Sequence, residues 1–178
     1  PSYPPPHSSN TRAAMTSRWL RLFARILLVL IIDQVTKRIV MNALQLGESI
    51  DLIPFLSPLF RITYSQNTGA AFGFLPQGSD IFLIIAVVVT LAMIYFPRLP
   101  AHAGLSRIGI GLLCGGALGN AIDRIDHGAV IDFIHYTIPG LISNVSNLAD
   151  HAIVFGVLLI LIESWRTGDE KKTAETTQ

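Results

Sequence analysis

Sixteen residues, Ile81–Phe96, pass without one charged side chain. Ile108–Ile122 is also uncharged, as is Ile26–Ile32, and Ala149–Ile162 is a fourth apolar run opened by Asp150. Where lipid replaces water, a backbone must satisfy its own polar groups, so runs of this kind are expected to form helices. Composition agrees, because only 14% of the 178 residues are charged and 51% are hydrophobic, whereas a soluble domain is about 25% charged. A span needs about 20 mostly apolar residues, and these uncharged cores are shorter. They reach that length only if flanking polar side chains snorkel, so a soluble helical bundle stays as an alternative.

The chain divides simply. Residues 1–14, PSYPPPHSSNTRAA, are rich in Pro and Ser and read as a disordered extension or remnant outside the fold. Residues 15–166 read as one membrane-embedded domain with spans at about 19–40, 79–97, 106–124 and 148–166. Residues 167–178 read as a polar, frayed cytoplasmic tail. The first span, Trp19–Val40, starts basic like a signal peptide, but DQVTK follows it in place of a small-residue cleavage site, so a retained helix is expected. Between the first two spans, Phe60, Ile62 and Tyr64 alternate with Arg61, Thr63 and Ser65, a strand signal. A small hairpin or sheet on the membrane surface fits them. Gly111, Gly115 and Gly119 recur every fourth residue and place a small-residue face on the third span, suited to close helix contact. Cys114 is the one cysteine; it excludes an internal disulfide and reads as packing.

Charge sidedness orients the spans. With both termini inside, the inner segments hold Arg12, Arg18, Arg21, Arg25, Arg98, Arg107, Arg166, Lys171 and Lys172, nine cations, and the outer ones hold four, Lys37, Arg38, Arg61 and Arg124. That is the sense of the positive-inside rule. The same arrangement gathers Asp33, Asn67, Asn120, Asp123, Asp132, Asn147 and Asp150 at outer ends or in outer loops. Ionisable residues at membrane depth are functional candidates. If Asp132 and Asp150 meet, one holds a proton, and the pair can activate water and protonate a carbonyl without metal or covalent intermediate. Spacing does not show that they meet. Asp150 read alone is also an N-cap, and Asn67, Asn120 and Asn147 are also caps or backbone partners. Asp33 and Lys37, four apart, suit a helix ion pair. Asp123 reads as a structural pairing residue, and Asp33 or an active acid is a candidate partner for Arg124. His127, His135 and His151 lack compact zinc spacing, so no metal or other cofactor is called for. A net charge of +1 argues for no nucleic-acid partner.

Four motifs then coincide: DQVTK at Asp33–Lys37, NTGAAF at Asn67–Phe72, GGALGNAIDR with GAVIDF across Gly115–Phe133, and NLAD at Asn147–Asp150. In this order, across four apolar segments, the chain resembles the lipoprotein signal peptidases, the signal peptidase II family of bacterial membrane aspartyl proteases. The resemblance covers about Trp19 to Trp165. It implies an all-α membrane protein, four transmembrane helices with a small extracytoplasmic β-cradle, in the bacterial inner membrane. It implies cleavage of the signal peptide just before the lipid-modified cysteine of a prolipoprotein, with membrane lipids around a monomeric enzyme. Asp132 and Asp150 match the catalytic aspartates. Asn120, Arg124 and Asn147, with Asp123, match polar residues supporting the site. Asn67, Gly69 and Ala70 fall in the loop lining the substrate channel, and Asp33 and Lys37 match residues tied more to stability.

Two positions depart from the pattern. Ser146 stands where Phe is common and His151 where Ser is common. Two other functions remain open on the sequence: a proton or ion conductor using the acids as a relay, and a non-catalytic membrane scaffold. The conductor would want acids at mid-membrane, and Ile81–Phe96 and Ile108–Ile122 carry none.

Overall fold

The computed structural model describes residues 8–57, 59–68, 87–89, 91–100 and 103–176, with side chains from residue 15 to residue 168. Gly69, Ala70 and the first part of the expected second span lie outside the described residues. Helix α1 runs Ser8–Ala43. The apolar segment α2, Val87–Arg98, is described at 87–89 and 91–98 and ends in the 3-10 turn Phe96–Arg98. Helix α3 is Gly104–His127 and α4 is Leu148–Thr176. Among the described residues, two helices, α3 and the Leu148–Gly168 part of α4, are long and apolar enough to cross a membrane. In α1 the charges of Arg21, Arg25, Asp33, Lys37 and Arg38 break up any comparable uncharged window.

Two boundaries differ from the sequence reading. α1 already begins at Ser8, inside the stretch read as disordered; after Pro6 no Pro or Gly interrupts the chain until the helix ends, so nothing stops helix from propagating back to Ser8. At the other end α4 runs to Thr176, because Glu170–Ala174 is made largely of good helix formers.

α3 is the central helix and packs on both α1 and α4 through two small-residue faces. On one, a methyl group at Gly111 would meet the Arg25 stem, and at Gly115 it would stand 2.7 Å from Val29 Cβ. On the other, Gly109 lies against the backbone of Gly156, and Gly116 against that of Ala149. The regular Gly111–Gly115–Gly119 spacing thus serves the α1 contact, and a second set serves α4. Away from these contacts Leu20, Phe23, Leu27 and Leu28 on α1 are exposed, as are Val154, Phe155, Leu158 and Leu161 on α4. Such continuous apolar faces suit lipid rather than water.

A four-stranded antiparallel sheet covers one end of the bundle, in the order β1 (Ser49–Ile50), β2 (Phe60–Asn67), β3 (Val130–Ile138), β4 (Ile142–Ser146). Phe133 and Ile134 pack with Val40 and Leu44 at the end of α1, joined by Phe60, Ile62, Tyr64 and Leu148. At the opposite end Leu22, Ile26, Phe96, Leu99, Ile110, Leu113 and Cys114 form a second apolar cluster. Buried Asp33, Lys37, Asn120 and Asp123 are joined to one another by ion pairs and hydrogen bonds.

Candidate active site

Each acid reaches the site by a short, specified piece of backbone. Gly128, at φ 71°, ends α3 in the left-handed region, with its N–H on the Arg124 carbonyl at 3.1 Å. Glycine adopts this conformation without steric cost, and the chain enters β3 two residues later. β2 carries one extra residue opposite β3, because Ile62 pairs with Ile134 but Ser65 pairs with Asp132. A bulge of this kind re-aims neighbouring side chains, and here it adjoins the acid. Asp132 is buried at 2% exposure. Asp150 sits in the first turn of α4 and is half-buried.

Asn147 joins the two. Its Nδ2 donates to Asp132 Oδ1 at 2.6 Å, and its Oδ1 accepts the Asp150 backbone N–H at 2.9 Å. Asn147 is therefore the N-cap of α4, and Asp150 is not, which corrects the simpler reading of Asp150. Asn120 Nδ2 donates to Asp150 Oδ1 at 2.7 Å, and Ser146 Oγ to Oδ2 at 3.3 Å. Asn67, at the end of β2, also hydrogen-bonds Asp132. Arg124 donates to the Asn120 carbonyl at 3.1 Å and lies in the field of Asp150, Asp123 and Asp132.

Burial pushes the Asp132 carboxyl up from 3.8 to about 6. The charge of Asp150 works in the same direction, while the hydrogen bonds from Asn147 and Asn67 and the Lys37 charge oppose it. Asp132 and Asp150 are thus both held by Asn147, and the charge of one is felt by the other.

Beneath the acids lies a buried ionic cluster. Lys37 Nζ is 2.8 Å from Asp33 Oδ2, 2.6 Å from Asp123 Oδ2 and 3.0 Å from Asn120 Oδ1. The expected Asp33–Lys37 pair is there, with Asp123 as a third member, and Asp33 pairs with Lys37 rather than Arg124. Both carboxylates also reach across the bundle. Asp33 Oδ1 accepts the Ala149 N–H at 3.1 Å, and Asp123 Oδ2 accepts the Ile131 N–H at 3.1 Å. Those N–H groups belong to the residues just before Asp150 and Asp132. Gln34 was not singled out on the sequence, yet its Nε2 donates to Asp123 Oδ1 at 2.8 Å and contacts Asp33 and the Gly119 carbonyl. Its place in DQVTK, one residue from Asp33, was the available signal.

Helices with exposed apolar faces, and two acids where a small sheet meets the last helix, are the features of a membrane protein with a partly buried polar site. Two solved structures described as bacterial membrane enzymes superpose on the chain. One has a TM-score of 0.72 at 33% identity, covering 85% of this chain and 91% of that one. The other has a TM-score of 0.70 at 34% identity, covering 80% and 90%. The family model for signal peptidase (SPase) II matches residues 25–166. The chain belongs to that family and is a bacterial membrane protease. Among its relatives, the lipoprotein signal peptidase of Photorhabdus laumondii subsp. laumondii is 41% identical over 159 residues, 86% of this chain and 91% of that protein. That of Halothermothrix orenii is 38% identical over 141 residues, 79% and 92%.

Proposed function

We propose that the protein removes the signal peptide from diacylglyceryl-modified prolipoproteins, cutting just before the lipidated cysteine, as an aspartyl endopeptidase with Asp132 and Asp150 as its two catalytic acids. The carrying observation is that one side chain, Asn147, holds both the Asp132 carboxyl and the backbone of Asp150. Four spans with both termini inside put the site at the outer surface of the membrane. The nine-to-four distribution of cations and the apolar faces of α1 and α4 support that placement.

The two environments support a division of labour. Asp150 accepts hydrogen bonds from Asn120 and Ser146 and lies at a helix N-terminus, where a negative charge is favoured. It serves as the ionised base. Asp132, buried and raised to about 6, serves as the acid. Asp150 takes a proton from water as the water oxygen attacks the scissile carbonyl carbon, and Asp132 gives its proton to the carbonyl oxygen. In the neutral diol that results, the C–N bond breaks. The leaving nitrogen takes the proton now on Asp150, and a diol hydroxyl returns one to Asp132. Both acids end as they began, with no metal or acyl-enzyme required.

The test uses purified protein in detergent with a diacylglyceryl-modified precursor. We expect wild type to release the signal peptide, and Asp132→Asn and Asp150→Asn each to lose at least about 10²-fold in rate while still unfolding cooperatively. Turnover retained by either folded variant would remove that residue from the chemistry.

A further inference from the structure

The two acids ride on different elements, Asp132 on β3 and Asp150 on α4, so their separation depends on what ties strand to helix. One tie is Asn147 to Asp132. A second lies four residues further along each element. Tyr136 Oη is 2.9 Å from His151 Nε2, and the two rings are 5.8 Å apart between centroids. Residues four apart share a face of a strand, and also of a helix, so Asp132 and Tyr136 on β3 address Asn147 at the N-cap of α4 and His151 in its first turn.

The tautomer follows from the partners. His151 Nδ1 lies 2.6 Å from the Asn147 carbonyl oxygen. A carbonyl only accepts, so Nδ1 carries the proton. In the neutral ring Nε2 is then an acceptor, and the Tyr136 hydroxyl donates to it. The imidazole is thereby fixed at both nitrogens, and one end grips the residue whose side chain holds Asp132. Tyr136 is fixed in turn, since it pairs with Phe60 and Asn144 in the sheet and its ring lies 6.0 Å from that of Phe60.

We propose that His151 and Tyr136 are positioning residues for the peptidase reaction, a brace between α4 and β3 that sets the spacing of the two acids without touching the substrate. This rests on the peptidase reading above. A brace that acts on geometry alone affects the chemical step and leaves substrate binding unchanged. Because the pair acts as one unit, removing either end costs what removing both costs.

The experiment measures kcat and KM for Tyr136→Phe, His151→Phe and the double variant, each scaled to the folded fraction from its melting curve. Tyr136→Phe keeps the ring and removes only the hydroxyl. We expect kcat to fall about tenfold in each single variant, KM to stay unchanged, and the double variant to match the singles. Unchanged kcat per folded molecule, a change in KM alone, or losses that multiply in the double variant would overturn the brace. Wild type in the same assay separates the two ideas. If wild type does not cut the precursor, the peptidase reading fails; if it cuts and the variants cut equally well, only the brace fails.

Discussion

Replacing Asp132 by asparagine should inactivate the protein and stabilise it at the same time. The carboxyl is 2% exposed, and its burial raises it from 3.8 to about 6. The folded state therefore binds this proton more tightly than the unfolded chain does. The stability that the proton contributes is fully present below the unfolded value of 3.8 and is lost as pH rises through about 6. A rise of about two pH units at 1.36 kcal/mol each makes the ionised group cost about 3 kcal/mol once it is fully charged. Asparagine stays neutral at every pH, and its Oδ1 can still accept the hydrogen bond from Asn147. At pH 8 we expect the variant to be more stable than wild type by up to about 3 kcal/mol. That corresponds to several degrees in melting temperature, at about 2–4 °C per kcal/mol for a chain of this size. Near pH 4 the gain should shrink below about 1 kcal/mol. Thermal unfolding in detergent micelles at both pH values, followed by Trp19 and Trp165 fluorescence, measures the difference. A variant no more stable than wild type at pH 8, or with an equal gain at both pH values, would refute this account of the site.

The remaining expectations follow from the same geometry. Under the proposed mechanism the fall of kcat/KM on the alkaline side should begin near pH 6, where free Asp132 loses its proton; a pH–rate series with a fixed precursor checks it. Lys37→Met leaves the Asp33 and Asp123 carboxylates buried without their cation. It should destabilise by about 3–5 kcal/mol, read as a lower melting temperature and a smaller folded fraction. Gly119→Ala would place a methyl carbon 2.5 Å from Asp33 Oδ2 and should cost about 1–3 kcal/mol, whereas Gly104→Ala, with open space around it, should be silent in the same melting experiment.

The helices and the acid cluster were legible in the sequence for a physical reason. An uncharged run has few places to go, and a charge at its end stands out against it. The Asp33–Lys37 spacing specified its own contact, because residues four apart on a helix are neighbours. Asp123 was harder to read. Its partner Lys37 lies on another helix, and nothing in linear spacing reports that. The last two strands were missed altogether. Val130–Ile134 is buried throughout, with two apolar residues on each side of Asp132, so no regular apolar–polar alternation marks it as strand. The β-branched and aromatic content of Val130–Ile138 and the turn at Gly140, φ 76°, were the available signals. Ser146 showed in the sequence only as a departure from a pattern, and His151 as such a departure and as one of three histidines without zinc spacing. Their contacts with Asp150 and Tyr136 depend on how α4 meets β3, which only the assembled fold supplies.

The ionic cluster also bears on how stability and mechanism connect. Burying one cation with two carboxylates is costly, and an apolar layer of similar volume would often be at least as stable. What an apolar layer could not do is present acceptors at two fixed points. Asp33 holds the N–H of Ala149 and Asp123 that of Ile131, each one residue before an acid. Lys37 contacts both carboxylates and, through the Asn120 side chain, is linked to Asp150 as well. The placement of the two acids is thus referred back to a single ammonium group at 1% exposure. That gives a physical reason for charge in the middle of an apolar bundle. Residues that read as merely structural in the sequence determine where the strand and the helix begin, and thereby where the acids stand.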